Sequence, residues 1–306
     1  MWYSTLEGIG AAFALNGDNC RFYDFAIFGD TTRRDDSAPE TAFDGNAGTG
    51  SIIQNIWAEH LKCGVWANAP TNGLKILNSR FRNTFADGVN LCGGTKNSLV
   101  ENCHFRNTGD DSIAVWSAAW ISPNPSEGNI VRNNTVQSPW LANCIAVYGG
   151  KDNIIENNIV RDTVAFGGGI NVSSNFDPVD FSGTTIIRNN LLERTGSYEW
   201  NLDYARGALW IWAANKNING ALLFSNNDVV DSTYQGIMIE GPYTITNLTF
   251  ENIRINGSGT YGIHIRSNAN GSATFRDVSV TGAQSGGFRN ESSNFTVHKQ
   301  SGNTGW

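Results

Sequence analysis

The feature that most constrains the fold is a short motif that recurs along the chain, in most places every 23 to 26 positions. Each copy places a strand-like apolar stretch around one asparagine or aspartate. A turn and a second short apolar stretch follow, such as GVNL, SIAVW or CIAVY. Eight copies are clear and two weaker ones precede them. The shared polar position is occupied by Asp24, Asn55, Asn78, Asn102, Asn133, Asn157, Asn189, Asn226, Asn252 and Asp277.

Short alternating strands at a fixed period predict a solenoid, in which each repeat packs only against its neighbours. This period suits one coil of a right-handed parallel β-helix. Leucine-rich repeats share the period, but their leucine scaffold is absent. Asparagine at a tight bend tolerates left-handed backbone angles, and its amide can bond the equivalent amide of the next coil. We therefore predict an all-β fold, a single-stranded right-handed parallel β-helix of about ten coils, in which these asparagines are structural.

The rest of the sequence narrows the protein class. No linker interrupts the repeat, so residues 1–306 are predicted to form one β-helix domain. The formal charge of -7 gives no support to binding of nucleic acid or another polyanion. No run is long enough for a transmembrane helix, and no signal peptide follows Met1, although a trimmed secreted chain would look the same. Five cysteines without a Cys-x-x-Cys pair predict buried thiols and one candidate disulfide.

Two adjacent aspartates, Asp110 and Asp111, here called the doublet, stand in the segment FRNTGDDSIAVW. The preceding repeat reads FRNTFADGVNL, and alignment of the two FRNT segments places Asp87 on Asp111. Equivalent residues of successive β-helix coils stack about 4.8 Å apart, so the three carboxyl groups should converge. Like charges at this range raise the pKa of at least one carboxyl group. Such a cluster is predicted to be a site for acid–base chemistry.

Aromatic residues accompany the acids. Strand alternation turns one column of the second strands outward beside the acidic patch, and two tryptophans lie on inserted loops nearby. Aromatic faces above a polar groove suit pyranose rings, whose C–H faces are apolar and whose edges need hydrogen bonds. The candidates for substrate binding are Trp116, Trp120, Trp140, Asn143, Tyr148 and Trp212.

The aspartates and the aromatic residues also allow other interpretations. An aspartate in a glycine-rich turn is often turn chemistry, clustered carboxylates can hold calcium, and aromatic columns can be coil packing. No lysine or arginine stands beside the doublet in sequence, which argues against a uronic acid polymer as substrate and against a lyase or epimerase. His264 is predicted to lie at the surface, and Asp177 and Asp180 on a solvated loop. We expect no catalytic metal and no cofactor, with a structural calcium ion as the remaining alternative.

The segment FADGVNLCGGTKNSLVENCHFRNTGDDSIAVW resembles the catalytic segment of the bacterial α-1,3-glucanase and mycodextranase family of glycoside hydrolases. The agreement is specific over residues 81–120, and the β-helix pattern covers nearly the whole chain. The resemblance implies a right-handed β-helix, often preceded by a β-sandwich, and endo-hydrolysis of α-1,3-glucosidic bonds with inversion. It also implies that Asp87, Asp110 and Asp111 are the catalytic residues. Since no upstream β-sandwich is present, we expect a fragment or a shorter relative.

We therefore expect an inverting glycoside hydrolase that acts on α-1,3-glucan or nigeran-type polysaccharide. The alternatives are a non-catalytic, adhesin-like carbohydrate-binding β-helix and a β-helix hydrolase of another neutral glucan such as dextran. In the expected mechanism Asp87 and Asp111 activate one water, and Asp110 protonates the leaving oxygen because the neighbouring carboxylates should raise its pKa. The expected partner is polysaccharide, with no nucleic acid or membrane, and the expected form is a secreted monomer.

Overall fold

The computed structural model describes residues 13–38, 40–201 and 203–306, and the backbone of the strand Trp2–Tyr3. The segment after Met1, in which we found no signal peptide pattern, lies mostly outside these residues. The described residues form strands and turns, and among them there is no helix that could cross a membrane.

The chain coils through three parallel sheets, which we name A, B and C in the order in which each coil enters them. Coils 1 to 4 contain β1 (Trp2–Tyr3), β2 (Phe13–Asn16), β3 (Arg21–Tyr23), β4 (Ala26–Phe28), β5 (Thr41–Asn46), β6 (Ile52–Gln54), β7 (Trp57–Glu59), β8 (Cys63–Ala67), β9 (Lys75–Leu77), β10 (Arg80–Arg82), β11 (Val89–Cys92) and β12 (Leu99–Glu101). Coils 5 to 8 contain β13 (His104–Arg106), β14 (Ile113–Trp116), β15 (Ile130–Arg132), β16 (Thr135–Gln137), β17 (Ile145–Tyr148), β18 (Ile154–Glu156), β19 (Ile159–Arg161), β20 (Ile170–Ser173), β21 (Thr184–Arg188), β22 (Leu191–Glu193), β23 (Tyr198–Glu199), β24 (Tyr204–Ala205), β25 (Leu209–Trp212) and β26 (Ala221–Ser225). Coils 9 to 11 contain β27 (Asp228–Ser232), β28 (Ile237–Glu240), β29 (Thr244–Glu251), β30 (Arg254–Ser258), β31 (Tyr261–Ile265), β32 (Asn270–Arg276), β33 (Ser279–Ala283), β34 (Gly286–Asn290) and β35 (Phe295–Lys299).

Each of the three sheets has eleven strands, and every neighbouring pair within them is parallel and one coil apart. Only β23 and β24 of the described strands stand outside the sheets, where they form an antiparallel hairpin on the loop of coil 8. This arrangement confirms the predicted parallel β-helix, with eleven coils where the repeat predicts about ten.

The hydrophobic core lies inside the coils, where apolar side chains of the three sheets meet. On sheet B, Val65 pairs with Val89, and Val89 with Ile113, so that similar side chains stack coil upon coil. On sheet A, the rings of Phe81 and Phe105 stack with centroids 5.1 Å apart and are fully buried. A register slip of one residue would turn these side chains to solvent. The core therefore fixes the register that positions every turn.

The asparagine motif has the structural role that the sequence predicts. All ten motif positions adopt left-handed backbone angles, with φ between 49° and 63°. Nδ2 of Asn102 donates to Oδ1 of Asn78 at 2.7 Å, and Nδ2 of Asn252 donates to Oδ1 of Asn226 at 2.6 Å. The same residues thus form the turns and link successive coils.

A second asparagine ladder, which the sequence analysis did not single out, is buried one residue further along the motif. It consists of Asn134, Asn158, Asn190 and Asn227. Each of the first three donates from Nδ2 to Oδ1 of the next at 2.9–3.0 Å. Buried amides in native proteins are satisfied in this way. The ladder therefore holds the coils together without leaving polar atoms unpaired.

The five cysteines are all unpaired, so the candidate disulfide does not form. Four of them are buried, as the sequence predicts, and Cys20 is partly exposed. Burial raises the pKa of Cys103 and of Cys144 to about 12, which keeps both groups as neutral thiols.

Candidate active site

The three aspartates lie on turns that lead from sheet A to sheet B, here called A–B turns. Asp87 lies between β10 and β11 in coil 4, and Asp110 and Asp111 lie between β13 and β14 in coil 5. The N–H of Gly88 donates to the carbonyl oxygen of Asp111 at 3.2 Å. Asp87 therefore stacks on Asp111, as the aligned FRNT segments predict.

The turns bring the carboxyl groups of Asp87, Asp110 and Asp111, here called the trio, together. Their closest oxygens all lie within 4.8 Å of one another. In the described part of the chain, no other group of three acidic, histidine or cysteine side chains is close enough to share a cation. Asp87 is 6% exposed and Asp111 is 4% exposed, whereas the side chain of Asp110 is 27% exposed. The site thus has a buried pair and a third, more open carboxylate.

Hydrogen bonds hold the buried pair in place. The backbone N–H and Nδ2 of Asn143 donate to Oδ1 of Asp111 at 2.9 and 2.8 Å, and the Tyr148 hydroxyl donates to Oδ2 at 2.8 Å. Asp87 receives a bond from Nδ2 of Asn90 at 2.8 Å. Asn143, predicted to contact substrate, is itself buried and faces Asp111, because it follows that residue in the same column. Its position suits holding the carboxylate.

The two buried carboxyl groups have pKa values above the usual range of carboxyl groups. Burial, followed by the charges of Asp110 and Asp111, raises the pKa of Asp87 well above its ordinary value. Burial, followed by the charge of Asp110, raises the pKa of Asp111 to about 7, although the bonds from Asn143 and Tyr148 oppose the rise. Near neutral pH the pair can therefore hold a proton.

An arginine side chain lies beside the acids, although the sequence predicted no lysine or arginine there. Nη2 of Arg34 lies 2.6 Å from Oδ2 of Asp110, and its Nη1 donates to the carbonyl oxygen of Gly109 at 3.0 Å. Arg34 belongs to the A–B turn of coil 2, between β4 and β5, and reaches Asp110 across three coils. The expectation was wrong because it compared only residues near in sequence or in the same column. The argument against acidic polymers loses this support.

An open cleft of about 580 Å³ lies over the acids on the outer face of sheet B. The aromatic residues that line it are Trp66, Trp116, Trp120, Tyr148 and Phe176. The ring of Trp116 is central, with those of Trp66, Trp120 and Phe176 at 6.0–6.3 Å and edge-on. Three of the five were predicted. Trp66 could have been found by strand alternation in coil 3, whereas Phe176 is on a loop that carries no local signal.

Two predicted aromatic ligands lie elsewhere. Trp140 packs edge-on against Phe85 with ring centroids 6.3 Å apart, on the A–B turn of coil 6. Trp212 stacks on Trp210 at 5.2 Å, with the guanidinium of Arg206 nearby. Among the described residues, the lining of the cleft includes neither tryptophan. Both lie in the expected coils, but each packs against a neighbouring aromatic ring instead of lining the cleft.

The sequence also predicted the exposure of His264, Asp177 and Asp180. His264 was predicted at the surface, but it is only 6% exposed, with Nε2 3.4 Å from a carboxylate oxygen of Glu291. That prediction was wrong because side chains of neighbouring coils cover the outer face of β31. Asp177 and Asp180 are 75% and 73% exposed and both pair with Lys216, so the solvated loop is confirmed.

Comparison with known proteins assigns the chain to a family. Residues 4–306 match the family model described as the alpha-1,3-glucanase catalytic domain D2. The catalytic unit of the thermostable GH87 alpha-1,3-glucanase from Streptomyces thermodiastaticus strain HF3-3 is similar with a TM-score of 0.87 and 33% identity, over 94% of this chain and 55% of that chain. The chain belongs to the GH87 α-1,3-glucanase family. The resemblance found over residues 81–120 is thereby confirmed.

Other GH87 structures show the same likeness. The Agl-KA catalytic domain matches with a TM-score of 0.81 and 30% identity, over 92% of this chain and 53% of that one. A GH87 catalytic domain in complex with nigerose matches with a TM-score of 0.79 and 28% identity, over 95% and 55%. The chain thus spans little more than half the length of these GH87 chains. No curated protein sequence matches.

Proposed function

We propose that this GH87 chain hydrolyses α-1,3-glucosidic linkages in α-1,3-glucan or nigeran-type polysaccharide. The observation that carries the proposal is the convergence of Asp87, Asp110 and Asp111 within 4.8 Å in a cleft lined by aromatic rings. Carboxyl groups with different environments can supply both an acid and a base. Ring faces next to them can bind the apolar faces of glucose units.

The relatives support both the substrate class and the trio. GH87 catalytic domains were solved with nigerose and with tetrasaccharides. Four of these structures have one aspartate replaced by alanine, at three positions in all, and two of the three positions are adjacent in sequence. The third precedes that adjacent pair by the same interval as Asp87 precedes Asp110 and Asp111. This agreement supports the assignment of these three residues to the reaction.

In the proposed reaction one water replaces the leaving sugar at the anomeric carbon. Asp110 donates a proton to the glycosidic oxygen while the bond from that oxygen to the anomeric carbon breaks. The water attacks the same carbon from the opposite side and gives a proton to the pair Asp87 and Asp111. A coupled pair that shares one proton keeps one ionised member, so it can still act as a base. Protons balance when the proton taken from water returns to Asp110.

The stereochemical outcome is the first prediction. The closest oxygens of the trio are nearer to one another than the roughly 6.5–9.5 Å usual for inverting carboxyl pairs, so separation alone does not decide. The proposal of inversion is supported instead by the directions of the side chains, because Asp87 and Asp111 share one column and Asp110 faces Arg34. We expect the first product from an α-linked glucan to be the β-anomer. Proton NMR of the anomeric region during the first minutes of hydrolysis measures it. An initial excess of α-anomer would refute the water-holding role of the pair.

The function itself is tested by measuring reducing ends released from insoluble α-1,3-glucan, with nigeran and dextran as parallel substrates. We expect release from α-1,3-linked material and none from dextran. Pull-down of the glucan without release would instead indicate the adhesin-like alternative. Release from dextran alone would indicate a different linkage specificity. The Asp110→Asn variant serves as the control for contaminating activity.

Trp116 is expected to be the most sensitive aromatic residue of the cleft, because it follows the doublet in the same coil and touches three other rings. Trp116→Ala should weaken binding of α-1,3-gluco-oligosaccharides about tenfold, the equivalent of about 1.4 kcal/mol. Calorimetric titration in an Asp110→Asn background measures this without turnover. Trp212→Ala, outside the cleft, is the matched control. Equal affinities for both variants would return Trp116 to a packing role.

The remaining expectations follow from this chemistry. Three carboxyl groups and a water supply the acid and the base, so we infer that no cofactor takes part. A cation among the acids would compete with the guanidinium of Arg34 for Asp110. We further propose that the chain works outside the cell, where an insoluble glucan is met, and as a monomer, since one chain carries the whole trio.

A further inference from the structure

Arg34 holds the candidate acid from a distant part of the chain. Its Nη2 pairs with Oδ2 of Asp110 at 2.6 Å, and Nη1 donates to the carbonyl oxygen of Gly109 at 3.0 Å. On the other side, Nε donates to Oδ1 of Asp36 at 2.9 Å. The three nitrogens of one planar guanidinium thus contact three partners. Such a fork fixes orientation in a way that a single charge does not.

Arg34 is a partly buried positive charge with other charged and titratable groups around it. Its side chain is only 29% exposed, so solvent screens the pairing with Asp110 weakly. The other cation on the cleft lining, Lys62, donates from Nζ to the carbonyl oxygen of Ala38. The titratable and charged groups that face the trio or Arg34 are Asp36, Asp44, Lys62, Cys63, Cys92 and Tyr148.

We propose that Arg34 is a positioning residue of this site: it orients Asp110 and supplies the positive charge that sets the pH range in which the three aspartates work. This inference rests on the proposed function, because it assumes that the trio is catalytic. It extends that function to a residue that is three coils before Asp110 and outside the segment of family resemblance.

The sign of the effect follows from simple electrostatics. A guanidinium next to carboxyl groups favours their ionised forms, and its charge also counts among the influences that lower the pKa of Asp87. Removing the charge makes each carboxyl group hold its proton to a higher pH. The ascending limb of the activity profile, which needs an ionised base, and the descending limb, which needs a protonated acid, should therefore both move to higher pH.

The experiment compares three variants by their profiles of kcat/KM against pH on a soluble α-1,3-gluco-oligosaccharide. Arg34→Gln should shift both limbs upward by about one pH unit, so that kcat/KM falls about tenfold on the acidic side. Arg34→Lys keeps the charge but not the fork. It should leave the limbs in place while lowering kcat. Arg33→Gln removes the same charge from the exposed neighbouring residue and should leave the profile unchanged.

The outcomes separate this inference from the proposed function. If the aspartate variants are inactive but Arg34→Gln keeps the wild-type profile, the role of Arg34 is refuted and the site stands. A shift in Arg33→Gln as large as in Arg34→Gln would also refute it, since net charge alone would then explain the effect. Activity in the aspartate variants would refute the proposed function itself. If Arg34→Gln does not fold, Asp36→Asn is the second test: it removes the negative charge that partly offsets the guanidinium. Both limbs should then shift to lower pH, by less than one unit and opposite to Arg34→Gln, and an unshifted profile overturns the proposal.

Discussion

Replacing any one of Asp87, Asp110 and Asp111 by asparagine should lower kcat at least about 100-fold, the lower end for groups in general acid–base catalysis. Each variant keeps the shape of the side chain but loses the carboxyl group that donates or accepts a proton. The effects should not add in double variants, because the three groups act on one proton transfer system. Rates on a soluble α-1,3-gluco-oligosaccharide measure this.

The matched control for the trio is Asp231→Asn, a change at an exposed aspartate in coil 9 whose left-handed backbone angle asparagine also adopts. It should keep wild-type activity. Near-normal hydrolysis by two of the three site variants would show that the trio has been assigned wrongly. Retained activity in Asp110→Asn alone would shift the acid role to the buried pair.

Replacing Asp87 by asparagine should lower activity but should favour stability at alkaline pH. A carboxyl group whose pKa is raised on folding contributes stability that is complete below its ordinary value of 3.8 and is lost as the pH rises through the raised value. Wild-type protein should therefore lose stability from mildly acidic to alkaline pH, and Asp87→Asn should lose less. The melting temperature of the variant relative to wild type is expected to be higher at pH 8 than at pH 4. An equal difference at both values would contradict the raised pKa of Asp87.

Phe105→Ala should reduce the free energy of unfolding by about 3–5 kcal/mol, the range for removal of a buried phenylalanine. Phe105 is fully buried and stacks on Phe81, and its ring lies beneath Gly88, where an added Cβ would come within 2.6 Å of it. The cavity would thus open directly below the turn that carries Asp87. We expect kcat to fall as well, because that turn loses its support.

Denaturant unfolding followed by tryptophan fluorescence measures the loss. Phe176→Ala removes the same side chain from a position that is 55% exposed and should change the free energy of unfolding by no more than about 0.5 kcal/mol. Similar losses in both variants would mean that the stack of phenylalanines contributes little to the core. A large loss of stability with unchanged kcat would separate the support of the fold from that of the site.

The sequence by itself determined the repeat, the sheet register and the identity of the acidic cluster. These follow from a constant offset: residues one repeat apart, such as Asp87 and Asp111, must stack if the apolar positions are to stay inside every coil. The left-handed asparagine turns follow from the backbone preference of that residue alone. Each of these features needs only local pattern and one period.

The tertiary structure alone decided what approaches the cluster from outside the repeat. Arg34 and Phe176 reach the cleft from loops whose lengths differ from coil to coil, so no offset relates them to Asp110 or Trp116. Burial likewise decided that the raised pKa values fall on Asp87 and Asp111, because desolvation depends on every chain segment that covers a group. A repeating sequence specifies the scaffold, and the exceptions to the repeat specify the charge and shape of the site.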